Sequence, residues 1–188
     1  MKQCIFSLLI LFVASCGRKN NLKDELCLLQ SRPIDICLNE MEHFSSNIGE
    51  TEMKNCEVFY QSPMLLVVYN DSTRCSPCMA KNMYLWEDFI GSLKNKYNGN
   101  INVCFIFSPP KGSYKDLKIT LQNAGFNYPV FIDTANVFST KNTNIPQNNR
   151  LHTFLLDKKR NVVLAGNPLY SPQIEKLLLD IADKEFNH

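Results

Sequence analysis

Two short apolar runs set the frame of the chain, residues 65–69 (Leu-Leu-Val-Val-Tyr) and residues 101–107 (Ile-Asn-Val-Cys-Phe-Ile-Phe). Runs of this length with little alternation suit strands buried on both faces. Between them Met79, Met83, Trp86, Ile90, Leu93 and Tyr97 recur at steps of four and three, which holds them on one face of a helix. Asn98-Gly99 supplies the stop signal. Pro109-Pro110 closes the second strand, and Ser113 to Asp116 reads as a capped helix start. Leu117, Leu121 and Ala124 then share a face, with Gly125 suited to the position after the last turn. Residues 129–133 form a short strand, and residues 136–149 are polar without a clear period. Residues 153–156 and 162–165 read as two strands joined by the charged turn 157–161, a hairpin. Ser171-Pro172 opens a last helix with a cap and a proline at its first position, and its stripe is Ile174, Leu177, Leu178 and Ile181.

Ahead of this frame the signals are weaker. Residues 24–29 suit a helical turn. Residues 33–38 alternate apolar and polar, as a strand does, residues 39–52 are a polar loop, and residues 56–60 suit a second short strand. The two strands make a hairpin-like addition before the main sheet. The remaining order is β-α-β-α-β-ββ-α. Strand–helix alternation implies parallel pairing with right-handed crossovers, and the late hairpin adds antiparallel strands. The predicted fold class is α/β, with a central mixed sheet, helices on both faces and an N-terminal β addition.

The first sixteen residues read as an export signal. Met1-Lys2-Gln3 is a short basic start, residues 5–13 are apolar apart from Ser7, and Val13-Ala14-Ser15-Cys16 follows. The apolar core is too short to span a bilayer. An apolar stretch ending in two small residues and a cysteine resembles the bacterial lipobox. That resemblance implies cleavage before Cys16 and lipid on its sulfur; an ordinary signal peptide cut nearby is the other reading. The expected organisation is a signal peptide over 1–15, a lipid-anchored tether over 16–31 and a folded domain over 32–188. The expected location is the bacterial cell envelope, anchored by Cys16 and facing the periplasm. Two or more acyl chains give stable anchoring without a transmembrane helix.

Composition narrows the chemistry. The 188 residues and 45% hydrophobic content allow one substantial core, and a formal charge of +2 with no basic stripe offers no footprint for nucleic acid. An exported chain meets an oxidising compartment, where disulfides persist. Of eight cysteines, Cys4 leaves with the signal and Cys16 carries lipid, so Cys27, Cys37, Cys56, Cys75, Cys78 and Cys104 remain. Cys104 sits in a buried strand as a core thiol. Cys37 with Cys56, or Cys27 with Cys37, are the local pairings, and spacing does not choose between them.

Cys75-Ser76-Pro77-Cys78 follows the first apolar run and a polar turn, and opens the long amphipathic segment. Strand, turn, CxxC, helix is how a redox-active dithiol is presented: orphan N–H groups at a helix start favour a thiolate, and Pro77 fits the first turn. Half of a zinc site or a merely structural pair are the other readings. His43, His152 and His188 show no ligand spacing for zinc, and Met79 follows Cys78, so the haem-attachment signature CxxCH is absent. No cofactor or metal is expected.

With these motifs the chain resembles the thioredoxin-like superfamily, in its exported, membrane-tethered TlpA-type branch, over residues 60–183. The resemblance rests on residues 65–69 before Cys75-Ser76-Pro77-Cys78, on the strand segment 128–133, and on the hairpin of 153–157 with 162–164. It implies a thiol–disulfide oxidoreductase, with Cys75 the exposed nucleophile and Cys78 the buried resolving cysteine. The implied partners are thiols or disulfides of envelope proteins and an electron donor that the sequence does not identify. Two positions depart from the family. Arg74 stands where Trp usually precedes the first cysteine, and a guanidinium there can stabilise a thiolate. Leu151, between Arg150 and His152, stands where a cis-proline faces the CxxC. A cis bond before a non-proline costs about 2.5–4 kcal/mol, so a trans bond is expected. Arg74 and Arg150 are expected as a basic rim around the Cys75 sulfur. Asp71 is a candidate for proton transfer with Cys78 or a turn-capping carboxylate, and Tyr69 stands where some relatives carry a buried acid. The alternative function is a redox-inactive binding or structural lipoprotein with a static Cys75–Cys78 bond.

Overall fold

The computed structural model describes residues 21–45, 57–126 and 128–186. The expected signal peptide, Cys16 and Cys56 lie outside these residues. The helices are α1 (Leu22–Leu29), α2 (Glu57–Gln61), α3 (Ser76–Ala80), α4 (Leu85–Tyr97), α5 (Tyr114–Ala124), α6 (Val137–Lys141) and α7 (Pro172–Phe186). The strands are β1 (Glu42–Phe44), β2 (Met64–Asn70), β3 (Ile101–Phe107), β4 (Val130–Ile132), β5 (Thr153–Leu156) and β6 (Val162–Ala165). They form one mixed sheet in the order β1-β4-β3-β2-β5-β6.

The sheet grows from β2 in two directions. β2, β3 and β4 are parallel and laid down successively towards one edge, while β5 and β6 pair antiparallel on the other side of β2. Right-handed crossovers that always step the same way must place their helices on the same face. Accordingly Ala80, Met83, Trp86, Leu93 and Tyr97 pack with Leu117 and Leu121 of α5 and Leu178 and Ala182 of α7. They cover Leu66, Val68, Val103, Phe105 and Leu155. Leu177, expected in the α7 stripe, is instead 47% exposed, because Ala182 continues the buried line from Leu178. Asn98 and Gly125 end α4 and α5 in the left-handed conformation, as their positions predict. Ser171 caps α7 through the Ile174 N–H at 3.3 Å, whereas the Ser113 side chain makes no such bond at α5.

The opposite face is covered by the N-terminal part of the chain, and here the structure corrects the sequence reading. Residues 33–38 are not a strand. Ile34, Ile36, Cys37 and Leu38 are buried, so the apolar positions are right, but the backbone is held without a ladder: the Ile34 N–H meets the Arg160 carbonyl at 2.9 Å, and side-chain amides hold residue 35 and the residues just before the segment. Asn142 accepts the Asp35 N–H at 2.8 Å and donates to the Asp35 carbonyl at 3.0 Å. Asn144 donates to the carbonyls of Leu29 and Arg32 and accepts from Arg32 Nε. With its donors and acceptors met this way, the segment has no need of a ladder. The polar stretch 136–149 is therefore the seat of the N-terminal layer.

Residues 57–61 are helical rather than extended. Arg160, at φ 65° in the β5–β6 turn, donates to the carbonyls of Phe59, Tyr60 and Ser62 and so satisfies the orphan end of α2. Phe59 meets the Phe131 ring edge-on at 5.4 Å. The region expected as loop contains β1, which pairs antiparallel with β4 at the sheet edge. A strand reading Glu-His-Phe has too little alternation to betray itself. Lys118 Nζ, 2.8 Å from Glu42, and the Tyr114 hydroxyl hold it in place. α1 occupies much of the stretch expected as tether, and its Leu29 is fully buried. Cys27 is exposed and Cys37 buried, and the two are not joined. Burial, with the charge of Asp35, pushes the Cys37 thiol up to about 11.

Removing the buried Asn142 amide should orphan the part-buried backbone groups of residue 35 and the Phe138 carbonyl it also meets. Asn142→Ala is expected to cost about 2–3 kcal/mol, seen as a lower urea midpoint, with faster hydrogen exchange at the Asp35 amide. An unchanged midpoint would show that the N-terminal layer is held by other contacts.

Candidate active site

β2 carries the chain to the site. Seven consecutive buried residues end at Asn70, and the chain then turns through Asp71 to Arg74 into Cys75. Asp71 shapes this turn. Its Oδ1 accepts from the Thr73 N–H at 3.2 Å and the Thr73 hydroxyl at 2.7 Å, and its carbonyl accepts from the Arg74 N–H. This is the turn-capping geometry that an Asx residue provides.

Cys75 is the N-cap of α3, and its Sγ accepts the Cys78 N–H at 3.3 Å. The two cysteines are joined as a disulfide with Cα atoms 5.2 Å apart. The helix was expected to run unbroken to Tyr97, but α3 ends after five residues. Bonds from Asn82, Met83, Leu85, Trp86 and Glu87 back to the residue three before then tighten the path into α4. The stripe survives because this turn keeps Met83 and Trp86 on the buried face. The short α3 leaves local N–H donation, rather than a long aligned helix, as the influence on the Cys75 sulfur.

Cys78 was expected to be buried and is not. Both cysteines are exposed, and the inward position of the first turn belongs to Ser76, which is fully buried. Ser76 Oγ accepts from Asn70 Nδ2 at 2.8 Å, so the end of β2 is tied to the start of α3 through a buried polar pair. Asn70 Oδ1 has no hydrogen-bond partner among the described residues. The sequence signal for this tie was a lone polar residue closing an apolar run six positions before a serine.

Facing the turn is the segment 148–152. Asn149–Leu151 forms a 3-10 turn, and no cis peptide occurs among the described residues, so the Arg150–Leu151 bond is trans as expected. Asn148 Oδ1 accepts from the Arg150 N–H, Asn148 O from Leu151 N–H and Asn149 O from His152 N–H. Leu151 is buried. The two arginines of the expected rim line one groove together with Leu151. Arg74 donates from Nη2 to the Met79 thioether at 3.3 Å.

His152 lies under this surface, 2% exposed and tilted against Tyr69 with ring centroids 5.2 Å apart. Its Nε2 is 2.7 Å from the Pro146 carbonyl, which fixes the proton there. Nδ1 is left as an acceptor with no hydrogen-bond partner among the described residues, 3.8 Å from Asp71 Oδ2. Burial lowers the imidazole pKa, with Arg74 adding to the shift, and this outweighs the upward pulls of the Pro146 carbonyl and Asp71. Tyr69, at the position of a buried acid in some relatives, has its phenol pushed up by burial. It packs on Phe138 at 5.0 Å and offers no carboxylate. Asp133 is also buried and is occupied by the N–H groups of Val137 and Phe138 at the start of α6. Among the described residues no three His, Cys, Asp or Glu side chains gather as a metal site.

Comparison with solved structures places this architecture. A thioredoxin-like protein solved in its oxidised form superimposes with a TM-score of 0.50 at 15% identity, over 83% of this chain and 97% of its own. The chain has a thioredoxin-like fold. Its disulfide begins the helical segment after β2, and the 148–152 turn lies against the Asp71–Arg74 turn that leads into it. A candidate thiol:disulfide interchange protein DsbE from Chlorobium tepidum matches with a TM-score of 0.44 at 15% identity, over 80% of this chain and 98% of that one. For a hypothetical protein from Sinorhizobium meliloti 1021 the TM-score is 0.39 at 19% identity, and the chain spans 58% of that protein as well as 58% of itself. No family model matches the sequence. No curated protein matches it either.

A histidine that resists protonation makes stability depend on pH. With the folded-state pKa of His152 depressed, the unfolded chain takes up a proton below about pH 6.5 that the folded chain refuses until its own lower pKa. Stability therefore falls as pH drops through that window and is indifferent to His152 above it. His43, whose pKa burial also lowers, adds to the trend. His152→Asn should flatten the slope of unfolding free energy between pH 6.5 and 5 by up to about 1.4 kcal/mol per pH unit. Parallel pH profiles for the two proteins would show that the imidazole titrates alike in both states.

Proposed function

We propose that this chain is an exported thiol–disulfide oxidoreductase of the TlpA type, held on a bacterial envelope membrane by lipid on Cys16. The observation that carries the reading is an exposed Cys75–Cys78 disulfide whose first sulfur accepts the Cys78 N–H at the start of a helix. A donated N–H stabilises the thiolate more than the thiol, and the thiolate is the nucleophile. This favours Cys75 as the attacking residue. In the reduced protein the Cys75 thiolate displaces one sulfur of a substrate disulfide, forming a mixed disulfide and releasing a substrate thiolate. Cys78, as thiolate, attacks the Cys75 sulfur, closes the Cys75–Cys78 bond and releases the second substrate thiol. Two electrons pass from the protein dithiol to the substrate, and a separate donor must reduce the protein again. Exposure of both cysteines removes the need for a buried proton acceptor at Tyr69, since solvent reaches the resolving residue.

A second reading is a thioredoxin-like binding protein with a static disulfide. The self-satisfied turn at 148–152 favours it, because the family pairs substrate with the backbone of that loop. The reduction potential separates the two. A catalytic pair is expected well above about −300 mV, and a value far below that supports the static bond.

Cys75→Ser should abolish reduction of a protein disulfide, and Cys78→Ser should accumulate mixed disulfides visible on non-reducing gels. Reductase activity equal to wild type in both variants would end the oxidoreductase reading.

A further inference from the structure

The turn at 148–152, the end of β6 and the start of α7 enclose a groove of about 440 Å³ beside the Cys75 turn. Three properties define what it can hold. First, its lining is basic: Arg74 and Arg150 contribute to it and no Asp or Glu does. Arg150 is exposed, and no ion pair or side-chain hydrogen bond engages its guanidinium among the described residues. The one acceptor held by Arg74, a thioether, is weak, so most of its five donors are uncommitted. Second, the N–H groups of residues 150, 151 and 152 are consumed within the turn. Those three N–H groups are not offered to a bound chain, so side chains carry recognition at this turn. Third, apolar surface adjoins the arginines: Tyr170 is 66% exposed and Leu22 47% exposed. Gly166, at φ 133°, lets the Ile174 side chain pack against the groove wall, since a Cβ there would meet it at 2.9 Å.

We propose that this groove is a docking site for an acidic segment with a neighbouring apolar side chain, adjacent to the reacting cysteine of a protein substrate. The proposal rests on the oxidoreductase reading for its substrate, while the groove itself is set by charge and shape. Paired guanidinium groups favour carboxylates by geometry and by sign. Because both arginines are solvent-accessible, the gain is chiefly in orientation and encounter rate, and it weakens as salt screens it.

The test separates docking from chemistry. Full-length protein is titrated with two cysteine-free peptides of equal length, one Asp/Glu-rich with a single Leu and one in which Lys replaces each acid. Dithiol-reduced protein is then assayed on the matching peptides carrying an internal disulfide, with uncharged hydroxyethyl disulfide as reference for each variant. The acidic peptide should bind about 10-fold more tightly than the basic one at low salt, and kcat/KM should show the same preference. Arg150→Glu should abolish or reverse the preference in both measurements. Lys159→Glu, an identical charge change on the exposed β5–β6 turn, should leave it intact. Equal binding of the two peptides, or equal effects of Arg150→Glu and Lys159→Glu, would overturn the docking site. Acidic-peptide preference in binding with no reduction of any disulfide would support the groove and instead count against the oxidoreductase reading.

Discussion

A strand with a neighbour on each edge and apolar contacts on both faces cannot shift without breaking something on every side. β2 is that strand: it pairs with β3 and β5, and all seven of its residues are buried. A slip of one residue would exchange its two faces, taking Leu66 and Val68 from beneath α4 and α5 and presenting Leu65, Val67 and Tyr69 there instead. Its register therefore fixes where Asn70 ends. Asn70 fixes Ser76 through a 2.8 Å hydrogen bond, and Ser76 fixes which way the two flanking cysteines face. The exposure of Cys78 follows from this chain of constraint, because one inward slot in the first turn of α3 is already taken.

The main sheet was legible in the residues because β2, β3 and the β5–β6 hairpin are strands of uniform apolar character bounded by turn chemistry. So were the ends of α4 and α5, where Asn98 and Gly125 are needed for a left-handed turn. The N-terminal layer was not legible in the same way. Residues 33–38 have a strand's alternation, but the backbone of residues 34 and 35 is met by the Arg160 carbonyl and the Asn142 side chain, both more than a hundred positions away. Residues 57–61 form a helix whose end is capped by Arg160, again from a distance in sequence. Local pattern reports which side chains will be buried. It does not report which groups will satisfy the backbone when these come from elsewhere in the chain.

At the site the same division holds. The Cys75–Cys78 pair and the trans bond at Leu151 follow from local residue chemistry. The burial of Ser76, the exposure of Cys78 and the unpartnered Nδ1 of His152 belong to packing. Asp71 had two readings, and the geometry gives it turn-capping contacts while leaving its second oxygen 3.8 Å from an imidazole that burial keeps neutral. The turn at Asn149–Leu151 closes its own hydrogen bonds, so the surface beside the disulfide presents side chains where a backbone edge would otherwise stand.

The amide clamps on residues 29–35 bridge 107 to 115 positions of sequence. A ribosome delivers residues 29–38 early and Asn142 and Asn144 late. The first residues of the layer to be synthesised therefore wait longest for their clamp, and until then Leu29, Ile34, Ile36 and Leu38 are not fastened over the sheet face they cover. Long-range closure of this kind raises contact order and slows folding. The second layer therefore stays incomplete until synthesis is nearly finished. The clamp that stabilises the mature molecule thus also sets its schedule.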